Sequence, residues 1–174
     1  MKKTFIIAIF VFFLSKGFVA HAAETVKIAT LNWVPYVGDT MKNFGYTAEI
    51  VTKAFHESGY EVEYDFMPWV KALKSTESGD YDACMPAYYS KQREKKFTFS
   101  DSFSESPVVL AAKKGEGIAY KNLRDLIPYK IGVVQGYVNG RRFDEAKFLN
   151  KEVSNSNIEN FKKLMNGKID LLAV

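Results

Sequence analysis

Short apolar runs alternate with stretches of helical period along this chain, and the alternation runs through two cycles. A mostly apolar run over 26–31 reads as a strand. The following segment, 47–58, carries Ala48, Val51 and Phe55 roughly on one face and stops at Gly59, a residue suited to a helix end. Residues 61–66 set Val62, Tyr64 and Phe66 against acids, the period-two pattern of a half-buried strand. Pro68 opens a helix reaching about residue 78, because proline is tolerated in a first turn. Gly79-Asp80 is a turn signal, and 82–85 is a third, buried strand. Strands separated by helices of this length build βαβ units and a largely parallel sheet.

The second cycle follows residues 107–112, an apolar run read as a buried strand leaving the first sheet. Lys113-Lys114-Gly115-Glu116-Gly117 is polar and glycine-rich and marks a boundary. Beyond it the pattern predicts a short helix over 123–127, a strand over 130–134 and a helix over 138–149. A further helix over 157–166 sets Ile158, Phe161, Leu164 and Met165 on one face. The last run, 169–174, is so apolar that it should lie centrally in its sheet, covered by helices. It stops on Val174 without a polar cap, so the second unit is expected to be incomplete.

The amino-terminal residues change how the charge is read. Met1-Lys2-Lys3 is a positive segment, residues 5–14 are uncharged and apolar, and Ala20-His21-Ala22 fits small-x-small cleavage. The run is short for a membrane span, which needs ~20 residues. Residues 1–23 therefore read as a cleaved signal peptide, and no cysteine lies near the cleavage site to carry a lipid anchor. A soluble protein of the bacterial periplasm is expected. The whole chain carries +4, but losing Lys2, Lys3 and Lys16 takes three of 24 basic residues and none of 20 acidic ones, leaving +1. No nucleic-acid partner is implied. Cys84 is the only cysteine, which excludes an internal disulfide and suits a small core residue. His56 alone remains in the mature chain, mid-helix, so a histidine-based metal or catalytic site has no support.

Candidate chemistry gathers between Gly79 and Phe103, in GDYDACMPAYYSKQREKKFTFSDSF. Arg93 follows a core strand in a basic loop, close to the carboxyl edge where open α/β sheets bind ligands. There a guanidinium can grip a carboxylate through two parallel hydrogen bonds, although a solvated arginine would leave the same trace. Trp33 and Trp69 stand beside prolines at element ends, where they serve either as core aromatics or as cleft walls. Tyr88 and Tyr89 point to opposite faces if the strand continues, so at most one should face a ligand. Lys71 suits a solvated position.

From Val26 to Val174 the order of motifs resembles the periplasmic solute-binding proteins of the polar amino-acid type, family 3, the receptors of ABC importers. The resemblance rests on Trp33-Val34-Pro35-Tyr36, Gly45-Tyr46-Thr47-Ala48-Glu49, Pro68-Trp69, Gly79-Asp80-Tyr81-Asp82 and Tyr88 to Arg93. It continues through Phe99-Ser100-Asp101-Ser102-Phe103, Asn122 to Leu126, Ile131 to Gly136 and Leu164 to Asp170. It implies a two-lobe α/β fold of the type II periplasmic-binding-protein kind, with mostly parallel sheets flanked by helices. Lobe 1 would begin with residues 24–112, and 113–174 would be an incomplete lobe 2.

The resemblance further implies that Arg93 clamps a ligand carboxylate and that Trp33 and Trp69 flank the ligand. Tyr36 and Tyr88 join the same wall, and the loop Gly136-Tyr137-Val138-Asn139 closes the site from lobe 2. The implied function is a receptor handing a small carboxylate solute, an amino acid or related, to an inner-membrane ABC permease, with no cofactor. A sensory ligand-binding domain and a dehydratase-type enzyme on the same fold are the alternatives. This chain departs from the family pattern at Met85, Pro86 and Tyr88, where small serines are usual, and at Tyr137-Val138, where a Ser/Thr pair is usual. Leu31-Asn32-Trp33 offers no acid for an ammonium group.

Overall fold

The computed structural model describes residues 23–174, so the expected signal peptide and its cleavage motif lie outside the described residues. Three strands, β1 (Thr25–Thr30), β2 (Glu61–Phe66) and β3 (Ala83–Cys84), form one sheet in the order β2-β1-β3, all parallel. Parallel neighbours need a long crossover, and α1 (Tyr46–Glu57) and α2 (Trp69–Glu77) supply the two. β1 is central, and Ile28, Ala29 and Thr30 are almost wholly buried there. Ala48, Trp69, Ala72 and Met85 close over them, with Val51 and Phe55 packed at the margin. Gly59 follows α1 at φ +84°, the left-handed geometry that ends a helix. Cys84 is half-buried and joins this core, where burial pushes its thiol pKa up.

The second sheet has the order β4-β7-β5-β6. Its members are β4 (Leu110–Ala111), β5 (Lys130–Val134), β6 (Asn150–Ser154) and β7 (Leu171–Ala173). β7 runs parallel to β5 and antiparallel to β4. It is the interior strand its apolar sequence predicts, with all three residues buried. The short helix expected near 123–127 is a single 3-10 turn, Leu123–Leu126, fixed by a capping box between Asn122 and Asp125.

Three expectations are corrected here and one strand is added. The strand expected over 107–112 is only two residues long and belongs to the second sheet, where β4 pairs with β7. The helix expected over 138–149 shrinks to α3 (Arg141–Glu145). Gly140 at φ +109° precedes it, and Ala146 leaves helical geometry with ψ 85°. β6 then follows, hidden in the sequence because it is an edge strand of polar residues whose Val153 is 58% exposed. Finally, the apolar face expected for 157–166 is mostly outside: in α4 (Asn157–Met165) Leu164 is buried, but Ile158, Phe161 and Met165 are exposed.

Gly132 explains the rotation of α4. A Cβ at that position in β5 would stand 2.5 Å from Ile169 Cδ1 and 2.8 Å from Asn160 Oδ1. The bare glycine lets α4 approach the sheet, and Asn160 fills the gap, fully buried. Lys163 holds the same side through Ser154 Oγ at 2.7 Å and Glu152 at 2.9 Å. The amide of Asn160 has no hydrogen-bond partner among the described residues. A buried amide without partners costs about 1–3 kcal/mol, and alanine is the best helix former. Asn160→Ala is therefore expected to raise stability by about 1 kcal/mol after the small cavity is counted. Urea melts of the two proteins check this, and a less stable variant would mean the amide is satisfied in solution.

Candidate functional site

The site forms where the loops at the carboxyl ends of β1, β3 and β5 meet the start of α2. After β1, Trp33 and Val37 make an isolated bridge with Trp33 N–H donating to the Val37 carbonyl at 2.8 Å. This tight turn stacks Tyr36 against Trp33 with ring centroids 4.4 Å apart. Gly45 secures the turn from outside: its φ is +96°, and a Cβ there would meet the Tyr36 carbonyl at 2.6 Å. Trp69 opens α2, only 7% exposed. It packs in the first core and also lines the pocket, so core aromatic and cleft wall are here one residue.

Arg93 reaches the site from the polar loop beyond β3 and is 9% exposed. Its backbone N–H donates to Ser90 Oγ at 3.2 Å. Nη1 donates to the Tyr88 carbonyl at 2.8 Å and Nη2 to the Gly136 carbonyl at 2.7 Å. The guanidinium carbon lies 5.4 Å from the centre of the Trp69 ring. A buried cation is costly unless its donors are met, and here two carbonyls and an aromatic face meet it. Burial pulls the guanidinium pKa down, opposed by Cys84 and Asp144. An arginine nonetheless stays charged in proteins.

Gly136 follows β5 with φ +77°, and a Cβ there would stand 3.0 Å from Val70 Cγ2. Only glycine lets this loop lie on α2. The next residue, Tyr137, packs against the first core. Leu31, Trp33, Trp69, Pro86, Tyr88, Arg93, Tyr137 and Val138 enclose a pocket with a free volume of about 20 Å³. Trp33, Pro86 and Tyr88 also border a second cavity of about 400 Å³, where Tyr36, Tyr46, Tyr89, Phe99 and Phe103 add rings and Ser100, Ser102, Ser104 and Ser106 add hydroxyls. Tyr88 Oη donates to the Ser106 carbonyl at 2.7 Å, and Ser106 Oγ donates to Tyr36 Oη at 3.3 Å.

Of the candidates read from the sequence, Arg93, Trp33, Trp69, Tyr88, Tyr137 and Val138 line the small pocket together. Tyr36 lines the larger cavity instead, and Gly136 contributes its carbonyl. Tyr89 stays on the larger cavity, edge-to-face with Phe99. Asn139 lies outside the linings, its N–H donating to Asp144 at 3.0 Å. Leu31, Pro86, Tyr46 and the 99–106 segment were not singled out as site residues. Tyr46 and 99–103 do fall in motifs that carried the resemblance, which was the available signal.

Residues 26–173 match the profile of the bacterial extracellular solute-binding proteins, family 3. The chain belongs to that family. No curated protein matches it. Among solved structures, an ancestral arginine-binding protein bound to arginine superposes with a TM-score of 0.75 at 22% identity, covering 88% of this chain and 71% of that one. Holo ArgBP from T. maritima gives a TM-score of 0.74 at 16% identity, over 86% and 68% of the two chains. A Salmonella typhimurium periplasmic binding protein described as highly arginine-specific gives 0.71 at 22%, over 87% and 69%. At such identities the likeness concerns the fold, the type II periplasmic-binding-protein architecture.

In this family 3 protein the second-lobe phenol has a measurable signature. Burial, with a smaller effect from Tyr88, pushes the Tyr137 pKa from 10.0 up to about 12. Because the folded value lies above the unfolded one, the neutral phenol's contribution to stability is whole below pH 10.0 and is lost as pH rises through about 12. An absorbance titration of the tyrosines is expected to show a late step near pH 12 that Tyr137→Phe removes. If Tyr137→Phe instead removes amplitude near the ordinary value of 10.0, the ring stands in solvent.

Proposed function

We propose that this protein is a periplasmic receptor, exported by a signal peptide over residues 1–23, that binds a small carboxylate-bearing solute for an inner-membrane ABC permease. Residues 24–112 and 113–174 are read as belonging to its two lobes, with β4 (Leu110–Ala111) crossing into the sheet of the second. Arg93 takes the carboxylate, Trp33 and Trp69 flank the ligand, and Tyr36 and Tyr88 extend the wall toward the larger cavity. Gly136, Tyr137 and Val138 face them from the second lobe. The observation that carries the reading is a buried guanidinium laid on an indole in a pocket lined by both halves of the chain.

The titratable side chains lining that pocket are one guanidinium and two phenols. These groups suit holding an anion better than moving protons near neutral pH, which favours binding over catalysis. His56 lies on α1 beside Glu61 at 3.0 Å, on the exposed side. Several similar structures are described as binding arginine or glutamine, so an amino acid is the first class to test. Native mass spectrometry of the exported protein, followed by calorimetric titration with L-arginine, L-glutamine and simple carboxylates, tests the reading. A co-purified or titrated carboxylate is the expected result. A bound molecule lacking any carboxylate, or no heat with any of them, would overturn it.

A further inference from the structure

The bond from Arg93 Nη2 to the Gly136 carbonyl, at 2.7 Å, joins the two sheets' territories through one buried cation. The loop that supplies this carbonyl is anchored to its own sheet: Gln135 N–H donates to the Ser154 carbonyl at 2.9 Å, and Tyr137 N–H to the Val134 carbonyl at 3.1 Å. On the other side, the Gly136 backbone lies against Val70 and Trp69 of α2, and the Tyr137 ring packs on the first core. Three adjoining contacts, one charge-assisted and two apolar, thus fasten the second-lobe loop to the first lobe.

We propose that Arg93, Gly136 and Tyr137 form a built-in latch that draws the lobes together before ligand arrives, and that a ligand carboxylate binds by displacing the Gly136 carbonyl from Arg93. The second half rests on the carboxylate reading of the site; the latch itself rests on these contacts. Two of the five guanidinium N–H donors are spent on carbonyls, and the Nη2 donor held by Gly136 must be released before it can serve a carboxylate. Apparent affinity is therefore lowered by the latched fraction, and loosening the latch without touching Arg93 raises it. Lysine keeps the charge of Arg93 but cannot span two carbonyls from one planar fork. Gly136→Ala keeps every donor but pushes a Cβ to 3.0 Å from Val70 Cγ2 at φ +77°.

The chain has two tryptophans, so Trp33→Phe leaves Trp69, beneath the Gly136 loop, as sole reporter. In that background, with bound solute removed, acrylamide quenching and small-angle scattering compare the parent with Gly136→Ala and Arg93→Lys. Both variants are expected to quench at least about twofold more readily and to scatter as larger particles, with unchanged far-ultraviolet dichroism. Quenching and size equal to the parent in both would overturn the latch. A rise in Gly136→Ala alone would overturn the part given to the guanidinium, and if Gly136→Ala does not fold, Arg93→Lys decides. No ligand enters these measurements, so their failure leaves the carboxylate reading standing, and an inert calorimetric titration leaves the latch standing.

Discussion

Arg93→Ala is expected to weaken carboxylate binding by about 2–5 kcal/mol, roughly thirty-fold to several-thousand-fold. Arg93 is 9% exposed and its guanidinium carbon lies 5.4 Å from the Trp69 ring centre, so a ligand oxygen there would meet it in a weakly screened setting. Truncation removes the fork and leaves the Tyr88 and Gly136 carbonyls without their donors. Arg93→Lys should recover only part of the loss, because an ammonium cannot offer two parallel bonds. Calorimetric titration with the solute found by native mass spectrometry reads the difference. An affinity unchanged within error in the alanine variant would return Arg93 to a purely structural role.

Trp69→Ala is expected to cost about 3–5 kcal/mol of stability, the range for deleting a buried large aromatic. The ring is 7% exposed and belongs to the first core, while the Gly136 loop and the Arg93 cation rest on it. Its removal leaves a cavity under both. Trp69→Phe keeps much of the apolar volume and a cation-binding face, so it should lose less. Urea unfolding of the three proteins provides the comparison, with ligand titration of any variant that folds. A loss below about 1 kcal/mol for the alanine variant would mean that the indole stands in solvent.

The strands legible in the sequence are those whose signal is local. β2 announces itself by alternation and lies where expected, over Glu61–Phe66. β5 and β7 do so by continuous apolar residues, which only a strand covered on both faces tolerates. β6 has neither signal. Its residues, Asn150 to Ser154, form a strand because β5 presents an open edge, and that is a property of the sheet. The facing of α4 departs from its period for a related reason. Period alone puts Ile158, Phe161, Leu164 and Met165 inward, but the glycine gap at Gly132 turns Asn160 and Leu164 to the sheet.

The candidate site divides along the same line. The place of Arg93 after β3 and the aromatic-proline turns at Trp33 and Trp69 are features of residue type and order, and through the family resemblance they nominated residues that the fold brings to one pocket. Side-chain chemistry is written in the sequence, and so is the βαβ order that brings strand ends to one edge. Which backbone atoms meet that chemistry is not written there. Every residue has the same carbonyl, so nothing in Gly136 as a letter says that its oxygen would receive the Arg93 cation. Nor does it say that Tyr137 and Val138 would line a pocket of about 20 Å³ with Arg93 while about 400 Å³ lies open beyond Tyr88. The contacts of the Gly136 loop follow from how closely it lies on α2, an approach that the missing Cβ allows.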